Sequence, residues 1–203
     1  MTNNNDYLSH EELAALNLAK CGVNVLISKL AKIVHPERLK IGSHARIDDY
    51  CILIGDIFIG DYVHIAAFSL LSGHDGIEIN NFCSISARTT MCSAIDDYSG
   101  EFLVNPMVPV QYKNALRGKI CLEKHVAIGV GTTILPKVIV GEGAAVGAHS
   151  LVVVSLKAWG IYFGSPATLI KPRIKTILNL EKELMESKDV TYDKRRAETS
   201  AAS

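Results

Sequence analysis

The sequence predicts an all-β chain wound as a parallel β-helix, and three observations carry that prediction. First, an aliphatic residue falls on every sixth position from Leu122 onward: Leu122, Ile128, Ile134, Val140, Val146 and Val152. Second, four positions after each comes a residue suited to a narrow interior, namely Val126, Thr132, Val138, Ala144, Ser150 and Leu156. Third, the same phase runs earlier through Ile41, Ile47, Leu53, Ile59, Ile65, Leu71 and Ile77, and after a two-residue slip resumes at Ile79, Ile85 and Met91. A period of six matches neither the 3.6-residue helix nor the two-residue strand. It matches short rungs that cannot bury their own apolar side and do so only by stacking on neighbours.

Taken in order, residues 1 to 8 are polar and expected to be loose. Ser9 and Glu12 form a capping box, and Leu13, Leu16 and Ala19 give one apolar stripe. A short helix is expected from Ser9 to Lys20, stopped by Gly22 and lying across the open end of the solenoid. Ile27, Ile33 and Leu39 suggest an irregular first turn. Regular coils follow from Ile41 to about Asp96, with Cys51, Cys83, Ser69 and Thr89 among the small interior residues and Ile95 continuing that series. Three hexapeptides to a turn would stack residues 18 apart, Ile41 under Ile59, Ile47 under Ile65 and Leu53 under Leu71, at the roughly 4.8 Å spacing of paired strands. The slip is expected as a bulge between Ile77 and Ile79. Residues 97 to 119 have no six-residue phase and read as one long excursion from a corner, a kind of loop that is usually functional. The run from Trp159 to Ala167 reads as a closing strand and turn. Ile174, Ile177, Leu178, Leu184 and Met185 predict a C-terminal helix, and from Lys188 the chain is charged or small and expected to be disordered. The organisation predicted is a cap over residues 1–24, a β-helix over 25–166 interrupted by the loop 97–119, and a C-terminal helix and tail over 167–203.

Bulk properties narrow the function. Lysine plus arginine and aspartate plus glutamate both number 21, so there is no basic field of the kind that tracks nucleic acid. Hydrophobic residues make up 48%, but their runs are short and broken, far from the roughly 20 residues of a membrane helix. No basic-then-apolar leader begins the chain and the cysteines number five, so a cytoplasmic protein with buried free thiols is expected.

Three local patterns go beyond periodicity: Arg46-Ile47-Asp48-Asp49-Tyr50, Asp96-Asp97-Tyr98-Ser99-Gly100 with Asn105-Pro106, and Trp159-Gly160-Ile161-Tyr162 before Gly164-Ser165-Pro166-Ala167. With them the chain, from about Val25 to Arg173, resembles the hexapeptide-repeat acyltransferases, and within them the sugar acetyltransferases of bacterial surface-polysaccharide and O-antigen pathways. The resemblance implies a left-handed β-helix, an exception to the usual crossover hand, a homotrimer, and acetyl-CoA in the groove between neighbouring solenoids. Carried over by position, the pantetheine arm would pass Gly129, Gly147, Ala148 and Ser150. The adenosine end would lie near Gly164, Pro166, Ala167, Lys171 and Arg173, where small residues admit a thin chain and cations pair with phosphates. The chain departs from the galactoside-type enzymes in carrying Asp96 where the alignment puts their catalytic histidine, and it offers His74 one coil earlier.

Transfer from a thioester needs a positioned nucleophile, removal of its proton, and donors for the developing oxyanion. An amine attacks with little help, whereas a hydroxyl needs a base. At a reference pKa of about 3.9 an aspartate serves poorly unless burial or a like-charged neighbour such as Asp97 raises it, whereas a histidine near 6.5 is better matched. His74 and Asp96 are therefore the candidate catalytic residues. Asp97, Tyr98 and His125 are candidate acceptor contacts, although Asp96 and Asp97 would also serve as turn caps and His74 as surface decoration. His44, His64 and His149 read as surface or trimer-interface residues. The function expected is acetyl transfer from acetyl-CoA to the amino group of a nucleotide-linked amino-deoxy sugar, by direct attack and without an acyl-enzyme, although Cys92 lies near the corner. The alternative is O-acetylation with His74 as base. A β-helix carbonic anhydrase is disfavoured because no two of the seven histidines lie within five residues, so no metal is expected. A non-catalytic scaffold would need neither the acidic corner nor the single long loop.

Overall fold

In the computed structural model, which describes residues 6–187, short parallel strands stack in columns on three faces. On one face Ile27 pairs with Ile47, Ile47 with Ile65, Ile65 with Ile85, Ile85 with Ile128 and Ile128 with Val146. On the second face Leu53, Leu71, Met91, Ile134 and Val152 form the column, and on the third Ile41, Ile59, Ile79, Leu122 and Val140. Ile41 under Ile59, Ile47 under Ile65 and Leu53 under Leu71 are the stacks the six-residue period predicts. These side chains are buried, and each aliphatic removed from water contributes about 1.5–3 kcal/mol, which sets the strands' outward alternation as well.

The corners explain the second repeat position. Ser69 Oγ and Ser150 Oγ each donate to the carbonyl three residues back, at Ala66 and Gly147, both at 2.8 Å, and Thr89 Oγ1 does the same to Ser86 at 2.7 Å. A buried hydroxyl is tolerated there because it satisfies a carbonyl that the turning backbone strands. The residues just outside two of the corners adopt the left-handed conformation without being glycine: His44, Tyr62, Phe82, His125 and Trp159 in one column, Tyr50, Phe68, Arg88 and His149 in another. Stacking compensates that strain, with ring centroids 4.7 Å apart for His44 and Tyr62, 4.8 Å for Tyr62 and Phe82, and 5.0 Å for Tyr50 and Phe68.

Several elements differ from expectation. Helix α1 spans His10–Ala15 with the capping box intact. It ends well before Lys20 because Asn17 turns left-handed and Lys20–Cys21 is already paired with Lys40 and Ile41. Gly22 is a solenoid residue, pressed so closely on the next rung that a Cβ would lie 2.5 Å from the Gly42 carbonyl carbon. Leu8, Leu13 and Leu16 pack against the end of the core. The slip lies earlier than Ile77: along the strand Leu70–Ile79, Gly73 opposes Gly55 and Ile77 opposes Ile57, so Asp56 alone faces His74, Asp75 and Gly76. This is a bulge before Ile77, at a corner, and Gly76 accommodates it at a φ of 97°. The excursion begins earlier too, after Ser93, because Ala94–Asp96 leaves the solenoid and pairs antiparallel with Ala115–Arg117. Ile95 is consequently part of this ribbon and half-buried rather than an interior spacer. Gly160–Phe163 forms the last rung, Thr168–Pro172 turns back along it, and helix α2 spans Ile177–Glu186. Of the N-terminal residues 1–8 expected to be loose, 6–8 are held instead, because Tyr7 bridges Ser28 and the Leu8 amide donates to the Ile27 carbonyl; residues 1–5 and the tail from Lys188 lie outside the described residues.

Candidate active site

The bulge and the excursion arise at the same corner on successive rungs, since Ser72 pairs with Cys92 just before each departs. Between them lies a cleft of about 730 Å³. The bulged strand gives it Ser72 and His74, the ribbon Ala94, Ile95, Asp96, Ala115 and Arg117, and the loop Tyr98, Pro106, Val110, Lys113 and Asn114. Buried Ser93 ties the floor together: its Oγ donates to the Ser72 carbonyl at 3.0 Å and accepts from the Asp75 amide at 2.8 Å. The bulge thereby holds His74 outward into the cleft's exposed edge.

Three sequence-predicted residues, His74, Asp96 and Tyr98, thus meet in one cleft. Asp96 is half-buried and its Oδ2 accepts the Asn105 amide at 3.3 Å. Tyr98 stands at the mouth, 80% exposed. Asp97 braces the loop: its carboxylate accepts the Ser99 amide and Asn114 Nδ2, both at 2.8 Å. Those donors hold its carboxyl below the usual carboxylate range. His125 lies elsewhere. Its side chain is 5% exposed, stacks on Phe82 at 5.2 Å, and has Nε2 2.8 Å from Glu181 Oε2 of α2. The expectation that it faces the acceptor is corrected for its own subunit, because its left-handed backbone makes it a rung of the aromatic column.

Most residues implied for coenzyme A occupy a different corner, at the far edge of the second face, where Gly129, Ala148, Gly164 and Pro166 are at least partly exposed. Lys171 is exposed opposite Ile161 on the first face, and Arg173 lies beyond it, its amide donating to the Trp159 carbonyl. Gly147 packs beneath Phe163, whose ring a Cβ would meet at 2.1 Å. Two side chains are directed inward: Ser150 Oγ bonds Gly147 O and accepts the Gly164 amide, and Ala167 is buried with its amide donating to Leu151 O. Arg173 Nη1 donates to the carbonyls of His125 and Gly143 at 2.9 and 3.0 Å, so it fastens the C-terminal segment.

Sequence reasoning gave no role to Asp75, Ser93 or Lys113 and only placed Arg117 in the loop. Their importance depends on which residues the ribbon pairs, and that has no periodic signal. Burial raises the Cys92 thiol, and pushes Cys51 and Cys83 up to about 11 and about 12, far from a reactive thiolate. Among the described residues no group of three or more His, Cys, Asp or Glu is placed to hold a metal ion. Among the described residues no helix is long and apolar enough to cross a membrane.

No protein-family model matches the chain. Individual proteins do. The chain is 39% identical over 178 residues to a dTDP-4-amino-4,6-dideoxy-D-glucose acyltransferase of Escherichia coli, covering 86% of this chain and 93% of that protein. It is 48% identical to AntD, an N-acyltransferase from Bacillus cereus crystallised with dTDP-4-amino-4,6-dideoxyglucose and coenzyme A, with a TM-score of 0.88 over 89% of this chain and 97% of that one. A hexapeptide-repeat acetyltransferase from Vibrio cholerae, 16% identical with a TM-score of 0.55 over 81% of each chain, shares the fold alone. The solenoid is accordingly the left-handed parallel β-helix. At that identity and coverage, the chain belongs to the hexapeptide-repeat sugar acyltransferases.

Proposed function

We propose that this chain transfers the acetyl group of acetyl-CoA to the amino group of a nucleotide-linked amino-deoxy sugar, as a homotrimer in the cytoplasm, in the supply of sugars for a surface polysaccharide. The observation that carries the reading is the cleft itself: Asp96 and His74 converge in a pocket built by one insertion loop, in a chain 39% identical to an acyltransferase named for a dTDP-linked 4-amino sugar. The AntD structures support the assignment of Asp96. They include substitutions of a serine and of an aspartate ten residues further on. In this chain Ser86 and Asp96 are the sole serine and aspartate in that order and at that spacing.

Those two residues also support the trimer. Ser86 follows Ile85, which pairs with Ile128, so it lies directly beside Gly129 on the implied donor corner. Asp96 lies past the other end of the strand Thr90–Cys92, on the acceptor corner. One subunit therefore holds donor and acceptor residues on opposite edges of a face. A ring of three brings one edge against the other, which closes the symmetry and creates three sites.

The chemistry asked of these residues is limited. The amine lone pair attacks the thioester carbonyl carbon, the tetrahedral oxyanion is met by backbone amides, and the C–S bond breaks as the thiolate leaves and takes up a proton. Asp96 accepts an amine N–H and fixes its orientation, so its contribution is chiefly positional. The exposed His74 supports a second reading, O-acetylation of a sugar hydroxyl with His74 as base.

Release of coenzyme A thiol from acetyl-CoA, with a panel of nucleotide-linked amino sugars and their hydroxyl counterparts, separates the two. Turnover with the amines alone, largely retained in His74→Ala, is the expected result. Turnover with the hydroxyl acceptors, lost in His74→Ala, would establish O-acetylation instead. No turnover with either would return the protein to a binding scaffold.

A further inference from the structure

We infer that Arg117, held in place by Asp75, is the anchor for the diphosphate of the acceptor, so that the sugar lies along the ribbon with its amine at Asp96 and its glycosyl phosphate at Arg117. This rests on the acceptor reading proposed above.

The ribbon supplies the layout. Ala94 pairs with Arg117 and Asp96 with Ala115, and residues directly opposite in an antiparallel pair share a face. Ala94, Asp96, Ala115 and Arg117 therefore form one surface, and all four line the cleft. Two alanines make an open apolar floor, with an anion at one end and a cation at the other. Asp96 and Arg117 are diagonal neighbours, about 7–8 Å apart at the backbone, a separation suited to one sugar ring lying across the alanines between them. The charges are ordered as the substrate needs them. The acid accepts from an amine, and the guanidinium meets the phosphate on the far side of the ring.

Arg117 is also prepared for the task. Asp75 Oδ1 and Oδ2 lie 3.2 and 3.1 Å from its Nε, and Asp75 is itself fixed by the bond from its amide to Ser93. Among the described residues none is recorded bonding the two terminal amino groups of the guanidinium, which remain for a bidentate contact with phosphate oxygens. At 56% side-chain exposure, a pair of this kind adds little to stability, but it orders the arginine before the ligand arrives. Lys113 lines the same cleft as a second, less directional cation.

The test is calorimetric titration of the full chain with dTDP, with thymidine and with coenzyme A, for wild type, Arg117→Met and Asp75→Asn, together with steady-state kinetics. Arg117→Met should weaken dTDP about tenfold or more, as expected for loss of a charge-assisted bidentate contact, and leave thymidine and coenzyme A unchanged. It should raise KM for the nucleotide sugar in parallel with kcat nearly constant. Asp75→Asn, which removes only the positioning residue, should shift dTDP binding and KM in the same direction by less, again with kcat preserved. Arg117→Lys should recover part of the loss. Added salt should narrow the gap between wild type and Arg117→Met. An Arg117→Met protein that binds dTDP as wild type does would overturn the anchor while leaving the transferase reading intact, and so would one that loses coenzyme A together with dTDP. A wild type that binds neither dTDP nor coenzyme A would overturn the transferase reading, and the anchor with it.

Discussion

The sulfur nearest the acceptor corner belongs to Cys92, and its environment decides whether transfer passes through the protein. The residue sits on the strand Thr90–Cys92, opposite Ser72, and burial raises its thiol. A nucleophilic cysteine requires the opposite shift, toward thiolate. Cys92→Ser should therefore keep wild-type turnover within about twofold, since a conservative exchange away from the reacting atoms changes little; loss of turnover with the protein still folded would mean an acyl-enzyme and end the direct-attack scheme. Asp97 illustrates the same dependence on neighbours. Its sequence position beside Asp96 suggested a like-charge effect, but its carboxylate is taken by Ser99 and Asn114. The paired acids divide their work, one facing the cleft and one holding the loop. His125, too, was legible only as an outward histidine. That it is a rung of an aromatic column and pairs with Glu181 follows from a left-handed backbone that no residue type announces.

At the level of elements, helix α2 is the piece whose attachment rests most on charge. Its Ile177, Leu180 and Leu184 lie over Phe82, Val126 and Ala127, and Glu181 reaches both Lys124 and His125. Burial alone would raise the Glu181 carboxyl, but the hydrogen bonds from Lys124 and His125 outweigh it and leave the group lowered. A carboxyl depressed in the folded state stabilises fully above its unfolded value of about 4.3 and loses that contribution as pH falls through the lower folded value. Acidification from neutrality to below pH 4 should therefore release α2 before the solenoid unfolds. Hydrogen exchange of residues 177–186 would register this as lost protection, and Glu181→Gln should reproduce part of it at neutral pH. Unchanged protection in that variant would show that the apolar contacts suffice. The excursion contrasts with the helix. Its base is a backbone-paired ribbon, whose amide-to-carbonyl bonds do not titrate.

For the whole molecule, the decisive feature is the separation, on one subunit, of the corner proposed for the donor from the cleft proposed for the acceptor. Ala148 stands on the first, half-buried, and Ala115 on the floor of the second. Ala148→Trp should obstruct the first and Ala115→Trp the second, each abolishing turnover. If every site takes one corner from each of two subunits, trimers assembled from an equal mixture should recover about a quarter of wild-type activity, because random assembly in a cyclic ring gives that share of sites two unaltered corners. Mixed trimers that stay inactive would place the whole site within one subunit. Sedimentation of the unmodified protein should give three copies per particle.

How much of this was legible beforehand depends on the range over which each feature is determined. Columns such as Ile47, Ile65 and Ile85 and spacers such as Ser69 and Thr89 were fixed by the sequence alone, because a solenoid repeats one local problem, burial of a single apolar side, and each rung answers it with the same residue types at the same spacing. His74, Asp96 and Tyr98 were legible as candidates because they stand where that repetition breaks. Only the tertiary structure decided that the bulge and the excursion leave the same corner, that the excursion's ends pair as a ribbon, and that Asp75 thereby reaches Arg117 across 42 residues of chain. It likewise buried Ala167 and tied Arg173 to two carbonyls. Those outcomes depend on contacts between segments distant in sequence, whose energies come from register and shape and leave no period to be read.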